Sequence, residues 1–68
     1  MDLTTDDLLE AGINAHSQGN LTDAQRLYKL VLKSQPSNPD ANHNLGLITM
    51  SANRNSEALT LFKIALKA

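Results

Sequence analysis

Two histidines, five serines, three glycines and one well-placed asparagine are the residues of this 68-residue chain whose types could do chemistry. His16 and His43 stand 27 residues apart, and no cysteine or repeated carboxylate spacing completes a metal set around either. Acid–base catalysis would also need a positioned partner and an enclosed pocket, which a few short helices do not readily supply. Both histidines are therefore expected to be ordinary surface residues. Ser17, Ser34, Ser37, Ser51 and Ser56 fall where helices start, stop or turn, so capping accounts for them. Gly12, Gly19 and Gly46 are isolated and make no phosphate-cradling loop. An Asp-Ser-Leu attachment site for a carrier group is absent. The expectation is a non-enzymatic chain with no cofactor and no metal. Asn44 is different in kind, because an amide donates and accepts at once and can grip peptide backbone without demanding a sequence.

Composition narrows the setting. The chain carries seven acids and six bases, for a formal charge of -1. Asp2, Asp6, Asp7 and Glu10 precede any base, whereas Arg26, Lys29 and Lys33 follow one another further on. No basic stripe would hold a nucleic-acid backbone. The acidic, polar start argues against a secretory signal or mitochondrial presequence, and no apolar run approaches the roughly 20 residues that cross a bilayer. Without cysteine there is no disulfide, and a cytoplasmic setting is expected. A chain this short forms one domain, residues 1–68, and buries only roughly 60% of its extended surface.

The elements that must position these residues are helices. Thr4 or Thr5 can cap a first helix reaching about Gln18, with Asp6 or Asp7 at its positive end. Gly19 suits a left-handed C-cap. Asn20 with Asp23 resembles a capping box that opens a second helix, Leu21 to Ser34, whose stripe is Ala24, Leu27, Tyr28, Val31 and Leu32. Gln35 to Asp40 is the one clear breaker, with Asn38 as cap and Pro39 as first residue of a third helix reaching Ser51. Asn53 matches Gly19 as a residue tolerant of left-handed backbone. Ser56 and Glu57 open a last helix that is apolar around most of its circumference and expects cover on two sides.

These elements repeat. Gly12 and Gly46 are 34 residues apart, and at that offset Ala11 is answered by Leu45, Ala24 by Ala58, Tyr28 by Phe62 and Leu32 by Leu66. One such unit cannot bury its own apolar face, so the period implies stacked helical hairpins. The pattern resembles the tetratricopeptide repeat family. Leu8, Ala11-Gly12, Ala15, Gly19, Ala24, Tyr28, Val31 and Pro36 hold the family's positions in the first unit; Asn42, Leu45-Gly46, Thr49, Asn53, Ala58, Phe62 and Ala65 hold them in the second. Asn42, Thr49 and Asn53 depart from the bulky residue, aromatic and glycine usual there. The resemblance implies an all-α fold of two tandem helix-turn-helix hairpins, residues 5–38 and a truncated 39–68. Their four antiparallel helices would be a fragment of an α-α superhelix. Ala11, Gly12, Ala24, Tyr28, Leu45, Gly46, Ala58 and Phe62 become the packing positions.

In such repeats the first helix of each hairpin lines a concave face that holds extended peptides or partner helices. Carried over, the resemblance places Asp6, Leu9, Glu10, Ile13, His16 and Ser17 on that face in the first unit, and Asp40, His43, Asn44, Leu47, Met50 and Ser51 in the second. The lysine-and-asparagine clamp by which chaperone-binding members take a carboxylate is missing, since its places carry Leu9, Ile13, His43 and Leu47. Asp6 and Glu10 would repel such a ligand. Asn44 resembles one rung of the asparagine ladder in O-linked N-acetylglucosamine transferases, and the stretch from His16 through Pro36 to Gly46 looks like the N-terminal repeats of bacterial transferases of that broad type. The implied function is a protein- or peptide-binding scaffold. The open flank of the last helix points to a second role, self-association, most simply as a dimer that buries Leu59, Phe62 and Leu66.

Overall fold

The computed structural model describes residues 3–67, which form α1 (Thr5–Ser17), α2 (Leu21–Ser34), α3 (Pro39–Ser51) and α4 (Asn55–Lys67), with no strand among the described residues. Asp2 of the acidic start and Ala68 at the end of the second unit lie outside them.

Local side chains decide where α1, α2 and α3 begin. Thr4, not Thr5, caps α1. Its hydroxyl accepts the Asp7 N–H at 3.1 Å, and its own N–H donates to the Asp7 carboxylate at 3.0 Å, closing a capping box. Thr5 is the first helical residue, and its hydroxyl lies 3.3 Å from that of Ser34, joining the start of α1 to the end of α2. At α2 the anticipated box does not close. Asn20 accepts the Asp23 N–H at 3.4 Å, but the Asp23 carboxylate takes the Asn20 side-chain amide and the Arg26 guanidinium instead of the Asn20 backbone N–H. Asn38 caps α3 through the Ala41 N–H at 2.9 Å, with Pro39 following it.

The two hairpin turns are built alike. Gly19 (φ 79) and Asn53 (φ 64) are both left-handed. Around them Gly19 N–H reaches the His16 carbonyl and Asn20 N–H the Ala15 carbonyl. Thirty-four residues later Asn53 N–H reaches Met50 and Arg54 N–H reaches Thr49. This is the Schellman arrangement, which satisfies carbonyls the helix end leaves free.

Packing runs α1 on α2, α3 on α4, and α3 also on α2, with a smaller contact between α1 and α3. Ala15, Ala24, Tyr28, Leu45 and Ile48 form the core, with Leu9, Leu27, Leu32 and Leu61 partly buried against it. Within each hairpin an aromatic ring lies on a glycine. A Cβ on Gly12 would stand 2.8 Å from the Tyr28 ring, and one on Gly46 would stand 2.7 Å from Phe62. Here a missing side chain makes the room.

Ala11 does not pack as its repeat position suggests. Leu45, its counterpart, is buried because α2 lies against that flank of α3; the same flank of α1 has no helix on it among the described residues, and Ala11 is exposed. The departures in α3 are absorbed by hydrogen bonds. Asn42 is almost fully buried and donates through Nδ2 to the Pro36 carbonyl at 3.0 Å and the Asn38 carbonyl at 2.9 Å. Buried Thr49 returns its hydroxyl to the Leu45 carbonyl at 2.7 Å.

The Asp7 carboxyl is held below its usual 3.8, first by the Thr4 backbone N–H and then by the Thr4 hydroxyl. Its contribution to folding is therefore complete above that value and is lost as pH falls through the depressed one. Asp7→Asn should flatten the acid limb of the stability profile, measured by thermal melts between pH 2 and 7. A variant with the parent's acid dependence would show that the box adds nothing.

Candidate functional site

The exposed side of α1 carries Asp6, Glu10, Ile13 and Ser17, and that of α3 carries Asp40, His43, Leu47, Met50 and Ser51. Spacings of three and four place each set along one side of its helix. The two helices occupy equivalent places in successive hairpins and touch one another, and at the 34-residue offset Asp6, Ile13 and Ser17 are answered by Asp40, Leu47 and Ser51. Ile13, Leu47 and Met50 are 44%, 37% and 46% exposed, so over a third of each of three large apolar residues is open to solvent. Asn44 is half-buried beside them, and its side-chain amide makes no hydrogen bond among the described residues. Leu9 belongs partly elsewhere, since it packs against the core.

The histidines differ from one another. His16 is half-buried, with Nδ1 3.2 Å from the Tyr28 hydroxyl and the two rings in a T-shaped arrangement at 6.0 Å. His43 is exposed and lies 5.6 Å from the Phe62 ring. His16 is thus the partner that a buried phenol requires, and the surface role expected of it is only half right. Sequence reasoning missed this, although a signal was present. At the 34-residue offset the pair Tyr28 and His16 becomes Phe62 and Met50, so hydroxyl and imidazole are present together or absent together. Burial pushes the Tyr28 phenol above its ordinary 10.0. His16→Ala should cost about 1 kcal/mol by leaving the hydroxyl without its side-chain partner. The double variant His16→Met, Tyr28→Phe should cost less than the sum of its parts in urea unfolding, and strict additivity would remove the hydrogen bond from the account.

Two grooves lie elsewhere on the surface, and only the first reaches stripe residues. One, about 420 Å³, lies at the end of the stack between Pro39, Asp40 and His43 of α3 and Phe62, Ala65 and Leu66 of α4. Asp40 and His43 thus border both this groove and the α3 stripe. The other, about 450 Å³, lies on the opposite side and includes Gln25, Lys29, Arg54 and Glu57. Among the described residues no three His, Asp or Glu side chains gather where a metal could sit, and no helix is long and apolar enough to cross a membrane.

The tetratricopeptide repeat family profile matches residues 15–68, from the end of α1 through α4. The chain belongs to the tetratricopeptide repeat family. No curated protein and no solved structure matches it. Tetratricopeptide repeats are in general scaffolds for protein–protein interaction and not catalysts, and the four-helix arrangement agrees with that family. The more particular likeness to O-linked N-acetylglucosamine transferases gains no support from these comparisons, and Asn44 has Glu10, not a second asparagine, at the matching place in α1.

Proposed function

We propose that this tetratricopeptide repeat chain binds a protein segment along the exposed stripes of α1 and α3. The observation that carries the reading is the exposure of Ile13 on α1 and of Leu47 and Met50 on the neighbouring α3, together with an Asn44 amide with no partner of its own among the described residues. Apolar surface supplies affinity for a segment, and a free amide supplies a backbone-directed grip. A labelled peptide library titrated against the folded domain tests it. Saturable binding weakened by Asn44→Ala and by Leu47→Ala is the expected result, and binding indifferent to both would refute the placement.

A second reading, self-association, is favoured by the end groove. Leu66 is 86% exposed and Leu59 54%, whereas Tyr28, the counterpart of half-buried Phe62, is completely covered where α3 packs on α2. A second copy docked there would be expected to pair α4 with α4 about a two-fold axis. The free flank of α1 would make a poorer partner, since it offers Asp7 and Asn14 where α3 uses Ala41 and Ile48. Sedimentation over a concentration range should then show a dimer that Leu66→Glu shifts toward monomer. One chain's mass up to millimolar concentration would exclude it.

A further inference from the structure

All six lysines and arginines of the chain lie on α2, on α4 or in the turn before α4: Arg26, Lys29, Lys33, Arg54, Lys63 and Lys67. Neither α1 nor α3 carries a single one. The exposed stripes instead hold Asp6, Glu10 and Asp40, and the ion pairs among the described residues, Arg26–Asp23 and Arg54–Glu57, involve none of these three.

We infer that the α1/α3 face takes a cationic, apolar peptide segment, in which arginines or lysines accompany one or two bulky apolar residues. This rests on the reading that the α1/α3 face is the binding surface. The apolar band selects the bulky residues, and the charge around it selects their neighbours. Short turns join α1 to α2 and α2 to α3, so the chain reverses twice and α1 and α3 run in the same direction; Asp6 and Asp40 then lie at their N-terminal ends, and Ile13, Leu47 and Met50 toward their C-terminal ends. Asp6 and Ile13 are seven residues apart, about 10 Å along the axis. An extended peptide covers that distance in about three residues, which sets the spacing between its cation and its apolar anchor.

The helix N-termini at the acidic end oppose a cation with about half a positive charge each. Asp6, Glu10 and Asp40 outweigh them, and Asp7 adds to the same sign. An acidic peptide would meet uncompensated carboxylates at this end, and a neutral one would forgo the attraction. Both lose relative to a basic segment.

Three capped synthetic peptides test this. They share leucines and a methionine in a neutral background and carry arginines, glutamates or serines at the same positions, three residues from a leucine. Titrated calorimetrically against the full chain, the arginine peptide should bind most tightly, and its affinity should fall as salt rises. The triple variant Asp6→Asn, Glu10→Gln, Asp40→Asn should bind it at least about fivefold more weakly, with an unchanged circular dichroism spectrum. Equal or tighter binding of the glutamate or serine peptide, still lost on Leu47→Ala, would overturn the charge selection and leave the binding face standing. Failure of all three peptides to bind would overturn both. Binding of the arginine peptide that ignores the triple variant would move the site off this face and overturn the inference.

Discussion

Replacing Asn42 by aspartate should lower the free energy of unfolding by about 3 kcal/mol or more. The Asn42 Nδ2 group faces two carbonyl oxygens, those of Pro36 and Asn38, in a nearly fully buried place. Aspartate has the same shape but, when ionised, only accepts, so it would set a buried charge against two acceptors. Its pKa would be raised by that surrounding, and a protonated carboxyl could donate to one carbonyl again. The deficit should therefore shrink as pH falls below the raised value, the opposite of the behaviour set by Asp7. Asn42→Leu separates shape from bonding. It fills a similar volume with the bulky type usual at this family position, yet it leaves the Pro36 carbonyl without the Asn42 donor and should cost about 1–3 kcal/mol. Urea unfolding of the three proteins at pH 7 and pH 4 reads all of this. An Asn42→Asp variant as stable as the parent at pH 7 would mean that the loop carbonyls do not depend on Asn42.

Gly12→Ala should cost about 1–2 kcal/mol, while Gly46→Ala should be close to neutral, although the unrelaxed contact at Gly46 is the closer of the two. Both new methyl groups would press on an aromatic ring, at 2.8 Å for Gly12 and 2.7 Å for Gly46. Each alanine also gains about 1 kcal/mol of helix propensity. The difference lies in what the ring can do. Tyr28 is completely buried between α1, α2 and α3 and is held at its hydroxyl by His16, so it cannot withdraw without opening the core. Phe62 is half-buried beside the open end groove and can tilt outward. Overpacking of about 1–3 kcal/mol therefore exceeds the propensity gain at Gly12 and is relieved at Gly46. Thermal melts of the two variants decide the order. A larger loss at Gly46 would mean that the end of the stack is as rigid as its middle.

The helices were legible because their punctuation is local. Gly19, Asn38-Pro39 and Asn53 each act within a few residues, and α2 and α3 run between the ends their breakers set. What escaped the sequence depends on neighbours far along the chain. Whether Ala11 is covered is decided by which helix lies on its flank, and nothing within α1 says so. The pairing of His16 with Tyr28 needs the crossing of α1 over α2 before it can be seen. Asn42 reads as a weak place in α3 until the Pro36 carbonyl turns toward it. Ile13, Leu47 and Met50 come to the binding face through the family resemblance, because in a helix as apolar as α3 periodicity alone does not separate Leu47 and Met50 from Leu45 and Ile48.

On the proposed reading the α1/α3 side meets the partner, and not the end groove or the groove lined by Gln25, Lys29, Arg54 and Glu57. Amide chemical-shift mapping during titration with the arginine–leucine peptide tests it most directly. The largest shifts should fall on Glu10, Ile13, Asn44, Leu47 and Met50, with Gln25, Lys29, Leu59 and Leu66 nearly unmoved. Largest shifts on Lys29, Arg54 and Thr60, or on Phe62 and Leu66, would contradict it.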